Sequence, residues 1–162
     1  MSGTPRKVLV LCLGNGDRGD DGFGPAVAHE LEGSLPSGVE LLARSGDILA
    51  VLNDWDGFDA LVCVDAAASM GEPGRIHRLD LATDELPREL TAMSSHAFGL
   101  GEAVALARTL GIAPATIVVY AAEGVEFEGG APMSQAIAGA VGPTAQLVAA
   151  EAALLQETPA HA

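Results

Sequence analysis

The sequence has few basic and few aromatic residues. Lysine and arginine together number 8 against 22 aspartates and glutamates, which gives a formal net charge of −14. That charge repels phosphate backbones and anionic lipid surfaces, so nucleic-acid binding and peripheral membrane attachment are disfavoured. Charged residues make up 19% and hydrophobic residues 49% of the chain, which excludes a disordered protein. No continuous apolar run approaches the ~18 residues that a membrane-spanning helix requires.

Cysteine is also scarce. The two cysteines, Cys12 and Cys63, both lie inside apolar runs, which indicates buried, reduced thiols in a cytoplasmic protein and not a disulfide scaffold. The apolar run that begins at Val8 is short and leads into a glycine-rich acidic loop instead of a small-residue cleavage site. We therefore predict no export signal.

Short apolar runs alternate with segments of helical periodicity. Runs that are apolar on both faces are typical of parallel strands covered on both sides; they are Val8–Leu13, Val39–Ala43, Ala60–Val64 and Thr116–Ala121. Ile76–Leu81 predicts an additional edge strand. Helices are predicted at Phe23–Leu31, Leu100–Leu110 and from Gly142-Pro143 onward. This order predicts an α/β fold, a three-layer α/β/α domain with four or five strands. We expect one domain over residues 1–162, with frayed ends at 1–6 and 157–162.

Acidic residues follow several of the predicted strands. Asp20 and Asp21 lie in the loop after the first strand, Asp65 follows the third, and Glu123 follows Thr116–Ala121. His96 precedes the helix that begins at Leu100, whereas His77 lies in the predicted edge strand and is assigned to no site. Because open parallel sheets bind ligands beyond the carboxyl ends of their strands, these acids and His96 are predicted to converge at one edge.

The loop Gly14–Gly19 matches the dinucleotide-binding pattern G-x-G-x-x-G. Its aspartates would lie where a pyrophosphate needs unoccupied amides, and Leu42-Ala43-Arg44 lacks the acid that would bind a ribose hydroxyl. A phospho-acceptor receiver domain is disfavoured as well, because the only lysine is Lys7 at the N-terminus. Neither interpretation fits the loop well.

Simpler structural roles compete with a functional site. Asp20 and Asp21 could cap the following helix, although Asp17 adds a third carboxylate whose repulsion needs a cation or proton to offset it. A turn aspartate is an equally good interpretation of Asp65. Alternatively, Asp21, Asp65 and His96 form an open site with two oxygen ligands and one nitrogen ligand, which suits zinc, nickel, manganese or iron.

Nucleophilic catalysis has weaker support. Ser94 and Ser95 lie beside His96, but no G-x-S-x-G motif is present, and adjacent residues at a helix start rarely face each other. A catalytic cysteine requires an exposed thiol of low pKa, whereas both cysteines are predicted to be buried.

Four segments in order resemble the hydrogenase maturation endopeptidases, peptidase family M52. The segment Lys7–Leu31 resembles the family's opening strand, its Gly-Asn and Gly-Asp-Asp-Gly loop and the helix that follows. The segment Leu61–Ala67 resembles its strand ending in Asp-Ala, and Ser94-Ser95-His96 its histidine before an apolar helix. The fourth is the pattern of Gly124, Phe127 and Gly130.

The resemblance implies an α/β/α fold with a twisted, mostly parallel sheet, and an endopeptidase that removes the C-terminal extension of an immature [NiFe]-hydrogenase large subunit after nickel insertion. It implies metal-binding positions at Asp21, Asp65 and His96, with the nickel being that of the precursor, so that the resting enzyme needs no metal of its own. Asp21 or Asp20 is then the expected general base. We expect a cytoplasmic monomer.

One departure from the family pattern is the stretch Arg44-Ser45-Gly46-Asp47, where many members have a glycine-rich turn. This stretch bears on which precursor is accepted. The alternative function is a non-catalytic metal- or nucleotide-binding module that uses the loop Gly14–Gly24.

Overall fold

A computed structural model describes residues 5–45, 52–81 and 100–157. Its five strands are β1 (Val8–Leu13), β2 (Val39–Arg44), β3 (Ala60–Ala67), β4 (Ile76–Asp80) and β5 (Thr116–Glu123). They form one sheet in the order β2-β1-β3-β5-β4. All neighbouring strands are parallel except β4, which runs antiparallel to β5 at the edge. The predicted mostly parallel sheet of about five strands is confirmed.

Helices cover both faces of this sheet. They are α1 (Phe23–Leu31), α2 (Leu52–Trp55), α3 (Leu100–Leu110) and α4 (Gln135–Glu157). Alternate residues of the strands pack on opposite sides: Val8 and Val10 contact the core beneath α1 and α4, whereas Leu9 and Leu11 contact the core beneath α2 and α3. Because successive side chains of a strand point to opposite faces of the sheet, strands that are apolar throughout require helices on both faces, as in a three-layer domain.

Two strands differ from the sequence prediction. We predicted β2 as a strand buried on both faces, but its side chains are half-buried or exposed because β2 lies at the edge of the sheet. β3 is longer than predicted: it extends past Val64 to Ala67 and is buried along its whole length. β5 pairs with it to the end, with Asp65 opposite Ala121 and Ala67 opposite Glu123.

The prediction that the last helix begins at Gly142-Pro143 is wrong. α4 begins at Gln135, and Pro143 lies inside it. The Ser134 hydroxyl accepts a hydrogen bond from the Ile137 amide (3.3 Å), as an N-cap residue does. Burial of Ile137 and Ala140 stabilises the turns before Pro143 and offsets the backbone hydrogen bond that proline cannot donate.

By length and composition α4 is long and apolar enough to cross a membrane, with a mean hydropathy of 1.3. The sequence analysis did not single out this segment, because polar residues interrupt its apolar stretches. One face of α4 packs on α1 and on the sheet, where Ile137, Val148 and Ala152 are fully buried. A helix that covers the core of a soluble α/β domain passes the same test, and the buried face of α4 matches that role.

Candidate functional site

The loop between β1 and α1 is compact because glycines allow the backbone to approach itself. A Cβ atom at Gly24 would lie 2.1 Å from the Leu13 carbonyl oxygen, and one at Gly14 would lie 2.0 Å from the Asp21 carbonyl oxygen. Gly14 also has a φ of +146°, which disfavours any residue with a side chain. These glycines fold the acidic loop back onto the end of β1, where Asp20 and Asp21 form part of a short 3₁₀ turn.

Asp20 is fully buried in this turn, and its carboxylate accepts four hydrogen bonds. The amides of Val125 (2.7 Å) and Glu126 (3.0 Å) donate to Oδ2, and Ser134 donates from its hydroxyl to Oδ2 (2.9 Å) and from its amide to Oδ1 (2.7 Å). Burial by itself would raise the pKa of Asp20, but these hydrogen bonds outweigh it and lower the pKa below its ordinary value. The charge is therefore offset by amide donors, with no cation required.

Backbone hydrogen bonds join the same two loops. The amide of Asp20 donates to the Glu126 carbonyl (2.6 Å), and the amide of Gly130 donates to the Asp17 carbonyl (2.7 Å). A Cβ atom at Gly124 would lie 2.7 Å from the Phe127 ring and 3.0 Å from the Asp20 side chain. The segment containing Gly124, Phe127 and Gly130 thus holds Asp20 and its loop in position.

Asp21 is 5% exposed, and its Oδ2 accepts a hydrogen bond from the Asn15 amide (2.9 Å). The capping interpretation of the two aspartates is wrong. The N-cap residue of α1 is Gly22, and no side chain caps that helix. Asp20 and Asp21 instead bond across the loop, to the segment 125–134 and to Asn15 respectively.

Asp65 lies inside β3, so its interpretation as a turn aspartate is wrong as well. It is 4% exposed, and its Oδ1 accepts a hydrogen bond from the Ala66 amide (2.9 Å). Alternation along β3 places it on the face of Leu61 and Cys63, which is the face covered by α3. The register pairs Cys12 with Val64, so Asp65 lies beside the end of β1, from which the loop of Asp21 departs. The 3₁₀ turn also packs against β3.

The structure therefore brings Asp21 and Asp65 to one edge of the sheet, both nearly buried. His96, with Ser94 and Ser95, lies outside the described residues. Within residues 5–45, 52–81 and 100–157, no three histidine, cysteine, aspartate or glutamate side chains are grouped closely enough to hold a metal ion. Asp21 and Asp65 thus lie at the same end of the sheet, and His96 precedes in the sequence α3, the helix that covers the face of Asp65.

Glu123 was predicted to join this cluster, but it has a separate role. It is 1% exposed; its Oε1 accepts hydrogen bonds from the amides of Met70 (2.8 Å) and Glu72 (3.1 Å), and its Oε2 lies 2.7 Å from His77 Nε2. The hydrogen bond with His77 is the main cause that lowers the pKa of Glu123. Glu123 thus holds the loop between β3 and β4.

Sequence reasoning missed two of these positioning residues, Ser134 and His77. Ser134 precedes a helical pattern in the manner of an N-cap residue, which is the signal that could have marked both it and the true start of α4. His77 carries no comparable signal, because only the antiparallel pairing of β4 with β5 brings it to Glu123.

The two cysteines are buried and free, as predicted. Burial raises the pKa of Cys12 to about 12 and raises the pKa of Cys63 well above its ordinary value. Neither thiol forms a thiolate at neutral pH, so neither can act as a nucleophile.

Several backbone amides of the loop after β1 donate hydrogen bonds to other groups of the protein. Asn15 donates to Asp21, Asp17 donates to the Asn15 side chain (2.9 Å), and Gly19 donates to the Ala131 carbonyl (3.1 Å). A pyrophosphate needs such amides to be unoccupied. The loop is therefore poorly suited to a dinucleotide.

Comparisons with known proteins agree with this architecture. The hydrogenase maturation protease family model HycI matches residues 25–151, a span that includes Asp65 and begins shortly after Asp21. HupD of Rhodobacter capsulatus, a hydrogenase expression/formation protein, is 30% identical over 85% of this chain and 67% of its own. HupD of Thiocapsa roseopersicina is 32% identical over 75% of this chain, which spans just over half (56%) of that relative.

Solved structures show the same fold. The hydrogenase-maturating endopeptidase HybD of Escherichia coli superposes with a TM-score of 0.75 at 24% identity, covering 90% of this chain and 91% of its own. A hydrogenase 2 maturation peptidase from Thaumarchaeota archaeon SCGC_AB-539-E09 superposes with a TM-score of 0.69 at 27% identity, covering 93% and 99%. The family match spans most of the chain, and the protein belongs to the hydrogenase maturation protease family.

Proposed function

We propose that this protein is the endopeptidase that removes the C-terminal extension of an immature [NiFe]-hydrogenase large subunit after nickel has been inserted. One observation carries the proposal: Asp21 and Asp65 are nearly buried carboxylates at the same edge of the sheet, in a member of a maturation protease family. A solvent-facing capping or turn role would not require either carboxylate to be withdrawn from water.

The chemistry of these two carboxylates suits a divalent metal. Carboxylate oxygens bind such ions, and an imidazole nitrogen from His96 would complete a set with positions left for a peptide. We propose that the ion contacted is the nickel carried by the precursor, which is part of the substrate. A bound divalent ion polarises a carbonyl or a water molecule and so favours hydrolysis.

Asp21 is the better candidate for direct contact with the substrate or the nickel. The Asp20 carboxylate already accepts four hydrogen bonds from the segment 125–134, which leaves it little capacity to take up a proton. We propose that Asp20 positions the loop, and that Asp21 acts as general base or as a ligand of the nickel.

The test is to incubate the enzyme with the purified, nickel-loaded precursor of the large subunit and to measure the intact mass of that subunit afterwards. We expect Asp21→Asn and Asp65→Asn to abolish cleavage while the thermal unfolding temperature stays close to that of the wild type. Asp17→Asn removes one charge from an exposed position of the same loop and should cleave normally. Full activity of both Asp21→Asn and Asp65→Asn would overturn the proposal.

Nickel recognition is tested separately with a precursor that lacks the metal. We expect the wild-type enzyme to leave it uncut and to cut it after nickel has been restored. Cleavage of the nickel-free precursor at the normal rate would refute metal recognition and leave the protease function intact. If neither precursor is cut, the non-catalytic binding module becomes the better interpretation.

We also propose that the protein acts in the cytoplasm as a monomer. The two free thiols at Cys12 and Cys63 are consistent with a reducing compartment. Light scattering on the purified protein and on its mixture with the precursor measures the oligomeric state directly. A stable dimer of the free enzyme would contradict this part of the proposal.

A further inference from the structure

Two large apolar side chains are exposed at the edge of the sheet where its parallel strands end. Met70, in the loop after β3, is 54% exposed, and Val125, in the segment after β5, is 57% exposed. Within the described part of the chain, the other exposed large hydrophobic residues all lie on helices: Leu110, Leu147 and Leu154. Of this group, Met70 and Val125 alone share an edge with the candidate site.

The two loops that carry these side chains are held against each other. β3 and β5 are neighbouring parallel strands that pair as far as Ala67 and Glu123. Beyond that pair, the amide of Gly124 donates a hydrogen bond to the Ala67 carbonyl (2.8 Å). Met70 follows Ala67 by three residues and Val125 follows Glu123 by two, so both emerge from the same short stretch of the edge.

Each of the two exposed residues is fixed through its backbone by a buried carboxylate. The amide of Met70 donates to Glu123 Oε1 (2.8 Å), and the amide of Val125 donates to Asp20 Oδ2 (2.7 Å). Hydrogen bonds to an ionised acceptor are stronger than neutral ones. A loop that is already held in one conformation loses little conformational entropy when a partner binds to it, so these apolar side chains are preorganised for binding.

The charges around these side chains restrict the kind of partner that can cover them. Glu126 and Glu128 lie in the segment 124–134, which contains no lysine or arginine. In the loop after β3, Glu72 pairs with Arg75 (3.4 Å), so these two charges offset each other. Because the chain has a net charge of −14, a second copy is repelled, whereas a partner surface with basic residues is attracted.

An apolar centre with a charged border is the usual composition of a protein–protein interface, and methionine is enriched in such centres. We infer that Met70 and Val125 form the centre of a docking surface for the precursor, which covers them with an apolar patch bordered by lysine or arginine. The inference rests on the proposed function, because it takes the precursor to bind at the edge that carries Asp21 and Asp65. It concerns binding only and assigns neither exposed residue to the chemistry.

The test measures cleavage of the nickel-loaded precursor by a variant that carries both Met70→Ser and Val125→Ser. These substitutions keep the backbone amides that bind Glu123 and Asp20, so the loops should stay in place. We expect KM to rise about tenfold and kcat to stay within about twofold, because the lost contacts stabilise the bound ground state and the transition state equally. An unchanged KM, or a fall in kcat alone, would overturn the inference.

Leu110→Ser is the matched control for the loss of exposed apolar surface. Leu110 is 60% exposed and is the last residue of α3, which leads into the start of β5 and so lies away from the edge that carries the candidate site. This variant should keep the wild-type KM, and both variants should unfold at the wild-type temperature. A KM increase as large in Leu110→Ser as in the double variant would contradict the assignment.

Glu128→Gln tests the basic border of the partner. We expect this variant to raise KM about twofold at low ionic strength and to have no effect at high ionic strength, because salt screens exposed charges. Glu32→Gln removes an exposed acid just after the end of α1 and should leave KM unchanged at both ionic strengths. A Glu128→Gln variant with wild-type KM at low ionic strength would refute the basic border.

Light scattering over a range of protein concentrations tests a second copy as the occupant. A wild-type dimer that the double variant abolishes would assign the docking surface to that second copy and overturn the inference. We expect both proteins to remain monomeric.

Binding of the precursor without cleavage separates this inference from the proposed function. In an Asp21→Asn background, calorimetry should show that Met70→Ser with Val125→Ser weakens the affinity for the nickel-loaded precursor about tenfold. If the affinity and KM are unchanged while Asp21→Asn is inactive, the docking surface is refuted and the proposed function stands. If the double substitution weakens binding but the wild type cuts no precursor, the proposed function fails and the docking surface is retained.

Discussion

Ser134 donates two hydrogen bonds to the carboxylate of Asp20, a residue 114 positions earlier in the chain, from its amide (2.7 Å) and from its hydroxyl (2.9 Å). The same hydroxyl caps α4 by accepting from the Ile137 amide. The start of the last helix and the acidic loop after the first strand are therefore held by one polar contact. The position of the loop that carries Asp21 is therefore coupled to the position of α4.

Removing either partner of this contact should destabilise the protein. Asp20→Asn leaves buried donors facing an amide group, and we expect a loss of about 3 kcal/mol in the free energy of unfolding. Ser134→Ala should cost about 1 kcal/mol, because it removes the hydroxyl and retains the amide donor. Urea unfolding measures both. Wild-type stability of Asp20→Asn would contradict the positioning role of Asp20.

The stability contribution of Asp20 should depend on pH. Its pKa in the folded protein lies below the ordinary value of 3.8, so the stabilisation is fully present above that value and is lost as pH falls through the lower, folded-state pKa. The difference in unfolding free energy between wild type and Asp20→Asn should therefore be constant at neutral pH and narrow below about pH 4. Urea unfolding over a pH series checks this, and a difference that widens in acid would refute it.

Gly24→Ala should prevent correct folding or lower the unfolding temperature strongly. A Cβ atom there would lie 2.1 Å from the carbonyl oxygen of Leu13, and that backbone has no room to shift in a fully buried strand. Gly129→Ala is the matched control, because nothing lies within 4 Å of its Cβ position. Equal unfolding temperatures for the two variants would contradict the close approach of α1 to β1.

Tyr120 is the only tyrosine, so its ionisation can be followed by the ultraviolet absorbance of the phenolate. Burial, together with its hydrogen bond to Glu151 Oε1 (2.7 Å), raises the pKa of Tyr120 to about 12. We expect a titration midpoint near that value and a lower midpoint in Glu151→Gln.

The raised pKa of Tyr120 makes the stability of the folded protein depend on pH in alkaline solution. The folded state keeps the Tyr120 proton to higher pH than the unfolded state does. The stabilisation that Tyr120 contributes to the folded state is therefore complete below the ordinary pKa of 10.0 and is lost as pH rises toward 12. Unfolding temperatures measured across this range should fall more steeply in wild type than in Tyr120→Phe. A midpoint at the ordinary value of 10.0 would show that the phenol is not buried against Glu151.

Much of the fold could be read from local pattern. The bounds of β1, α1 and α3 agree with the sequence prediction, because runs apolar on both faces and apolar residues at helical spacing report burial directly. The end of β3 could not be read this way, whereas the start of α4 was missed although Ser134 carries the local signal of an N-cap residue. Asp65 is polar yet belongs to a buried strand because β5 continues to pair with it, and Pro143 is tolerated inside α4 because burial of Ile137 and Ala140 stabilises the turns before it.

The same distinction between local pattern and tertiary contacts applies to the candidate site. Residue type and order along the chain were enough to predict the α/β class and the glycine-rich acidic loop, and to select Asp21 and Asp65 as candidates. The contacts of each acid became visible only in the folded chain: Asp20 accepts hydrogen bonds from the segment 125–134, Glu123 contacts His77 and the loop before it, and Asp21 and Asp65 lie at the same end of the sheet. Hydrogen bonds between residues far apart in the chain depend on strand register and helix docking, which no local pattern encodes.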